Sequence, residues 1–83
     1  MAAGQIKACW IICPNPVASV AHRQNAVAGL RAAELVIAQD AYLDTETNRY
    51  ADILLPGALW AEADGVMINS ERTLTLMPQA VPP

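Results

Sequence analysis

The sequence is poor in positive charge. Only five of its 83 residues are Lys or Arg, against eight Asp or Glu, and the formal net charge is −3. Proteins that track nucleic-acid phosphates usually carry clustered Lys and Arg, whereas the five basic residues here are scattered. We therefore predict that the chain does not bind nucleic acid.

The chain also lacks the patterns of most catalytic and phosphate-binding sites. His22 is the only histidine, and the four glycines form neither a GxGxxG nor a Walker loop. His22 is interpreted as a solvated surface residue, and neither Ser19 nor Ser70 has a paired base. No His and Cys residues have the spacing of metal ligands. We predict no catalytic residue, no metal ligand and no ordinary NAD or ATP site.

No apolar run is long enough to cross a membrane. The longest uninterrupted run, residues 8–13, falls far short of the roughly 20 residues that a spanning helix needs. The N-terminal stretch has no small-residue cleavage site before Pro14, so it is interpreted as a strand and not as a signal peptide. We expect no membrane association and a cytoplasmic location.

The two cysteines do not indicate a disulfide. On an extended strand the Cα atoms of Cys9 and Cys13 would lie about 13 Å apart, at about 3.3 Å per residue. A disulfide requires about 4.4–6.8 Å. We expect both cysteines to be buried structural thiols.

Apolar residues, by contrast, are abundant. They make up 54% of the chain, charged residues only 16%, and there is no Phe. The apolar mass comes from Ala, Val, Leu and Ile, which is typical of strands that are covered on both faces. Because a chain of this size can bury only part of its surface, we predict an exposed apolar face that more protein normally covers.

Short apolar runs alternate with helical and polar segments along the chain. Residues 6–13, 35–40 and 53–56 are predicted strands, because each is an apolar run that ends at Pro or at polar residues. Residues 24–33 have helical periodicity, and the polar segment 45–52 contains a Thr that can cap a short helix. This order predicts an α/β fold: a three-layer Rossmann-like unit with a short, mainly parallel sheet and helices on both faces.

The pattern changes after Pro56. Residues 57–65 predict a helical turn and a loop, and two short strands follow on either side of Ser-Glu-Arg. The segment Asn69–Ser70–Glu71–Arg72 is interpreted chiefly as a turn. We expect residues 1–77 to form a single α/β domain and residues 78–83 to be a C-terminal linker.

Polar side chains follow the predicted strands at the points where they end. Asn15 follows the first strand, and Gln39 and Asp40 end the second. Ligands of open parallel sheets bind beyond the carboxyl ends of the strands, and a carboxylate there can accept from ribose hydroxyls or from N1–H and N2–H₂ of guanine. The pattern predicts a nucleotide cleft. The alternative is that Asp40 only caps the next helix and that Asn-Pro is an ordinary turn.

The ordered set NP, VIAQDAYLDTET and ADILLPGALWAEADGVMINSER resembles the third domain of the molybdopterin oxidoreductases, a family that includes nitrate reductases and formate dehydrogenases. The resemblance covers residues 6–77, and QDAYLDTET and NSER are most similar to assimilatory nitrate reductases. It implies a fragment of a molybdenum enzyme that converts nitrate to nitrite by oxygen-atom transfer and holds bis-molybdopterin guanine dinucleotide. The fragment itself is expected to be inactive.

The resemblance also implies partners and cofactor contacts. The partners are the remaining domains of the parent enzyme, which alone would carry a 4Fe-4S cluster, and an electron donor such as ferredoxin or an NADH-linked subunit. Cofactor contacts are implied for Asn15, Gln39, Asp40 and Thr45. Of these, the Asp40 carboxylate is implied to bind the guanine base. Ala63 stands where related periplasmic enzymes have a cofactor-binding Lys, so that contact is absent here.

Three other interpretations remain open. A formate dehydrogenase-type enzyme shares most of the pattern. The large iron–sulfur subunit of respiratory complex I resembles the same family but carries no molybdenum, and the polar residues Asn15, Gln39 and Asp40 argue against it. A free-standing interaction module that buries its apolar face on a partner chain is the third alternative.

Overall fold

A parallel three-stranded sheet forms the centre of the structure, a computed structural model that describes residues 3–83. Its strands are β1 (Ala8–Ile12), β2 (Leu35–Asp40) and β3 (Ile53–Pro56), in the order β1-β2-β3. Both neighbouring pairs are parallel. Pro56 is tolerated because it ends a strand at the edge of the sheet. The three predicted strands and the parallel sheet are confirmed, with β1 shorter than the predicted run.

Two helices connect β1 to β2. They are α1 (Pro16–Ser19) and α2 (Arg23–Ala32), and a 3-10 turn, Asn48–Tyr50, lies between β2 and β3. Pro16 suits the first position of α1, because the N–H that proline lacks would have no partner inside the helix. The predicted helix at residues 24–33 corresponds to α2, displaced by one residue.

The core lies on one face of this sheet. Val17 of α1 and Leu30 of α2 form a buried cluster with Ile11 of β1 and Val36 of β2, and Tyr50 of the 3-10 turn packs against it. Right-handed crossovers that proceed from β1 to β2 to β3 in one direction place their connections on the same side. Both helices and the 3-10 turn therefore cover one face.

The opposite face of the sheet is apolar and exposed. Alternation along the strands places Trp10, Ile12, Ile53 and Leu55 on it, and their exposed fractions run from 39% to 58%. The predicted α/β class and the predicted exposed apolar face are confirmed. The second helical layer of the three-layer unit is not formed by residues 3–83.

An antiparallel hairpin follows the first sheet. Its strands are β4 (Gly65–Ile68) and β5 (Leu74–Met77). In the connecting loop, the side-chain Oδ1 of Asn69 accepts the Thr73 N–H at 2.9 Å, and the Arg72 N–H donates to the Asn69 carbonyl at 3.0 Å. Arg72 has a left-handed φ of 67°. The predicted turn is confirmed.

The chain as a whole is elongated. Its radius of gyration is 15.9 Å, whereas a compact domain of this length would have about 12 Å.

The C-terminal segment is hydrogen-bonded to the loop before the hairpin. The Ala80 N–H donates to the Ala61 carbonyl at 2.9 Å, and the Gln79 N–H donates to Asp64 Oδ1 at 2.8 Å. The division into a domain, 1–77, and a linker, 78–83, stays a prediction. Within residues 3–83 no helix has the length and apolar character needed to span a membrane.

Candidate functional site

The carboxyl ends of β1, β2 and β3 meet at one edge of the parallel sheet. The strands are aligned in register, and two backbone hydrogen bonds hold the segments that follow them. The Cys13 N–H donates to the Gln39 carbonyl at 2.9 Å, and the Gly57 N–H donates to the Asp40 carbonyl at 3.0 Å. Asn15 lies three residues after the end of β1 and is hydrogen-bonded to the segment that follows β2. The predicted convergence of the three strand ends is therefore confirmed.

A groove of about 380 Å³ opens at this edge. Gln39 and Asp40 line it from β2, Cys13 from the end of β1, and Gly57 and Trp60 from the segment after β3. The volume falls within the range of about 300–1,000 Å³ that is usual for ligand pockets. Trp60 is 71% exposed, so its indole can contact a planar ring in the groove.

The Asp40 carboxylate is only partly engaged by the protein. Its Oδ1 accepts the Tyr42 N–H at 3.2 Å, whereas Oδ2 takes no donor from the part of the chain that the structure describes. Asp40 does not cap the following helical turn, because that turn begins at Asn48, whose N–H donates to Thr45 Oγ1 at 3.1 Å. The alternative interpretation of Asp40 as a helix cap is wrong.

Thr45 lies three residues before the 3-10 turn, and neither Thr45 nor Asn15 lines the groove. Asn48, whose N–H is bonded to Thr45, is buried. The Asn48 side-chain amide donates to the carbonyls of Tyr42 at 2.7 Å and Leu43 at 3.3 Å. These bonds hold the loop that leads away from Asp40. The role of Asn48 was not predictable, because one Asn in a polar segment is indistinguishable from a surface residue.

Asn15 is bound to the segment that follows β2. Its Oδ1 accepts the Thr47 hydroxyl proton at 2.6 Å, and its Nδ2 donates to Glu46 Oε2 at 2.8 Å. The Thr47 oxygen in turn accepts the Val17 N–H at 3.1 Å, and Thr47 is 1% exposed. Neither the contact of Glu46 nor the burial of Thr47 was predicted; the only signal was a Thr-Glu-Thr motif interpreted as a helix start.

Both cysteines are free, but they differ in exposure. Cys9 is half-buried, whereas Cys13 is exposed and has a left-handed φ of 69°. The expectation of two buried thiols is wrong for Cys13, because β1 ends at Ile12 and the chain turns there, and it is met only in part by Cys9, which packs against the core but is half-buried. Among residues 3–83 no three His, Cys, Asp or Glu side chains lie together as possible metal ligands.

The contact between Glu46 and Asn15 predicts a dependence on pH. The Asn15 amide proton that is donated to the Glu46 carboxylate lowers the pKa of that carboxyl from its ordinary 4.5, and the charges of Arg23 and Arg49 lower it less. A depressed folded-state pKa means that the contact is intact above 4.5 and is lost as the pH falls through the lower folded value. We expect the Asn15 side-chain amide signals in NMR spectra to shift with a midpoint below 4.5.

The Glu46→Gln variant is the control for this titration, since it cannot ionise at that position. Its Asn15 amide signals should stay constant over the same range of pH. A midpoint at or above 4.5 in the unmodified chain would contradict the prediction.

Comparison with known proteins gives one family and several relatives. A family model described as molybdopterin oxidoreductase matches residues 1–83. The chain is 45% identical over 74 residues to a nitrate reductase of Synechocystis sp., covering 89% of the chain and 10% of that protein. It is 38% identical over 80 residues to a nitrate reductase of Klebsiella oxytoca, covering 96% and 9%.

A third relative is an enzyme with another activity. The chain is 39% identical over 77 residues to the alpha subunit of F420-dependent formate dehydrogenase 1 of Methanococcus maripaludis, covering 93% of the chain and 11% of that protein. The chain therefore spans about a tenth of the length of the curated relatives that it matches.

Proposed function

Since the chain belongs to the molybdopterin oxidoreductase family, we propose that it forms part of the site for the guanine nucleotide end of bis-molybdopterin guanine dinucleotide. Family membership by itself implies a molybdopterin cofactor. That this cofactor is the guanine dinucleotide form is part of the proposal. The observation that carries it is the Asp40 carboxylate, which lines a groove at the carboxyl edge of a parallel sheet and has one oxygen that accepts no donor from residues 3–83.

The residues around the groove fit a guanine nucleotide. Guanine presents two neighbouring donors, N1–H and N2–H₂, and a carboxylate offers two acceptor oxygens with the matching geometry. Trp60, which also lines the groove, offers an exposed aromatic face. Gln39 supplies a further donor and acceptor to the groove.

Asn15 and Thr45 are proposed as contacts outside the groove itself. Asn15 keeps one N–H and one lone pair after its bonds to Thr47 and Glu46. The Thr45 oxygen accepts the Asn48 N–H, so its hydroxyl proton can still be donated to a ligand oxygen. Both residues suit the sugar or phosphate part of a nucleotide better than its base.

The parent activity that we propose is reduction of nitrate to nitrite. When bound, the cofactor supplies the molybdenum at which a two-electron oxygen-atom transfer takes place. This chain would hold one nucleotide end and would contribute no catalytic residue. The nitrate reductase relatives support this assignment, and a 4Fe-4S cluster and an electron donor, ferredoxin or an NADH-linked subunit, belong to the same proposal.

The remaining domains of the parent enzyme are the proposed partner of the exposed apolar surface. The uncovered sheet face carries Trp10, Ile12, Ile53 and Leu55, and parallel sheets are usually covered on both faces. An uncharged face of this kind suits contact with more protein.

A formate dehydrogenase is the second candidate for the parent activity. Two formate dehydrogenase alpha subunits are 39% and 38% identical to the chain over more than nine-tenths of its length. Substrate selectivity is expected near the metal, whereas the groove described here would bind the same nucleotide in either enzyme. Assaying the protein that contains this chain with nitrate and with formate distinguishes the two.

Titration of the ¹⁵N-labelled chain with GMP tests the proposed nucleotide site. We expect weak binding, with a Kd of about 1 mM, and shifted amide signals at Cys13, Gln39 and Asp40 together with the Trp60 indole signal. Ser70, in the hairpin loop, should not shift. Inorganic pyrophosphate is the control for binding through phosphate alone and should leave the Trp60 signal in place. Shifts confined to the hairpin, or no shifts, would contradict the proposal.

A further inference from the structure

We infer that Glu46 and Thr47 are positioning residues that hold the side-chain amide of Asn15 in one orientation just after the end of β1. The inference rests on the proposed nucleotide site, for which Asn15 is a contact. It goes beyond that site, because it assigns a role to two residues that are not themselves proposed to touch the nucleotide.

The two hydrogen bonds of the Asn15 side chain define the orientation. The oxygen faces the Thr47 hydroxyl at 2.6 Å, and the nitrogen faces the Glu46 carboxylate at 2.8 Å. Rotating the amide by 180° would place its oxygen against a carboxylate oxygen, so that two acceptors would meet with no proton between them. The bond to the carboxylate is charge-assisted and therefore stronger than a neutral one.

Thr47 anchors this arrangement from inside the protein. It is 1% exposed, and its oxygen also accepts the Val17 N–H at 3.1 Å. A buried hydroxyl proton needs an acceptor, and the Asn15 oxygen is the acceptor that the Thr47 hydroxyl faces. A rotated amide would leave that proton without a partner.

The backbone of Asn15 is fixed as well. Its carbonyl accepts the N–H groups of Ala18 at 3.1 Å and Ser19 at 3.0 Å, and the Ser19 hydroxyl at 2.9 Å. With backbone and side chain both held, the remaining N–H and lone pair of the amide have fixed directions. A contact that is fixed before the ligand arrives saves the entropy of ordering it, which increases affinity.

The Glu46→Gln variant tests the fixed orientation of Asn15 with little risk to folding, since Glu46 is exposed. A Gln side chain can donate as well as accept, so position 46 no longer disfavours the rotated amide, and Thr47 alone opposes it. We expect GMP affinity to fall about fivefold, equivalent to one uncharged hydrogen bond, while the thermal midpoint of unfolding stays within error. Glu71→Gln, which makes the same change in the exposed hairpin loop, should leave both unchanged.

The Thr47→Val and Thr47→Ser variants test the buried partner. Val keeps the shape but removes the hydroxyl, and Ser keeps the hydroxyl. We expect Val to broaden or split the Asn15 side-chain amide signals and to weaken GMP binding, and Ser to retain the signals and the affinity.

The outcomes distinguish the fixed orientation of Asn15 from the proposed nucleotide site. If the Asn15 amide signals of Glu46→Gln and of Thr47→Val both equal those of the unmodified chain, the proposal that these residues fix the amide orientation is wrong. Altered signals with unchanged GMP affinity would show that these bonds only tie two segments together and would overturn the positioning role. If the unmodified chain does not bind GMP, the proposed function fails, and the amide signals alone still report whether the orientation is held.

Discussion

Asp40→Asn should lower the affinity of the chain for GMP at least about tenfold, because Asn replaces one carboxylate acceptor with a donor that faces a guanine donor. A hydrogen bond to a charged group contributes about 1.5–3 kcal/mol, and about 1.4 kcal/mol corresponds to a factor of ten. Asp40→Ala should weaken binding by at least as much. NMR titration with GMP measures both effects.

The Asn variant is the more informative of the two. It keeps the oxygen that accepts the Tyr42 N–H at 3.2 Å, so the loop after β2 should keep its conformation, and the Tyr42 amide signal reports this directly. Glu71→Ala removes one negative charge from the hairpin loop, which does not line the groove, and should leave binding unchanged. Affinity for GMP equal to that of the unmodified chain in Asp40→Asn would contradict the role of the carboxylate.

Leu30→Ala should cost about 2–5 kcal/mol of unfolding free energy, because it empties space in the cluster between α2 and the sheet. Leu30 is 5% exposed and packs with Ile11, Val17 and Val36. A chain of this length has a total stability of about 4–12 kcal/mol at the usual 0.05–0.15 kcal/mol per residue. One substitution should therefore remove a large part of it, which urea unfolding measures.

Leu43→Ala is the matched control, since it removes the same atoms from a side chain that is 76% exposed. Its effect should stay within about 0.5 kcal/mol. Similar losses from the two variants would show that the cluster around Leu30 is not the main core.

The strands were predictable from the sequence because their ends carry chemical signals. Polar Gln39 and Asp40 close β2 and Pro56 closes β3, and both strands have the predicted bounds. The four-residue helix α1 was missed, because it is too short to show a helical period. The uncovered sheet face was predictable from the apolar composition. The lack of a second helical layer among residues 3–83 was not, because it depends on the handedness of the connections between strands.

Only the part of the candidate site that lies at the end of one strand was predictable from the sequence. Gln39 and Asp40 line the groove as strand ends should. The partners of Asn15 were not predictable, since Glu46 and Thr47 are 31 and 32 residues away and the pairing depends on how the loops fold. Cys13 was assigned to the core because an apolar run does not reveal where its strand stops.

The affinities of the chain for GMP, IMP and AMP test the central claim most directly. IMP keeps the N1–H of guanine but lacks the 2-amino group, and AMP has neither donor at these positions. If the Asp40 carboxylate reads both guanine donors, affinity should fall from GMP to IMP to AMP, and Asp40→Asn should abolish the difference. Equal affinities for the three nucleotides, or a preference that persists in Asp40→Asn, would contradict recognition of guanine by this residue.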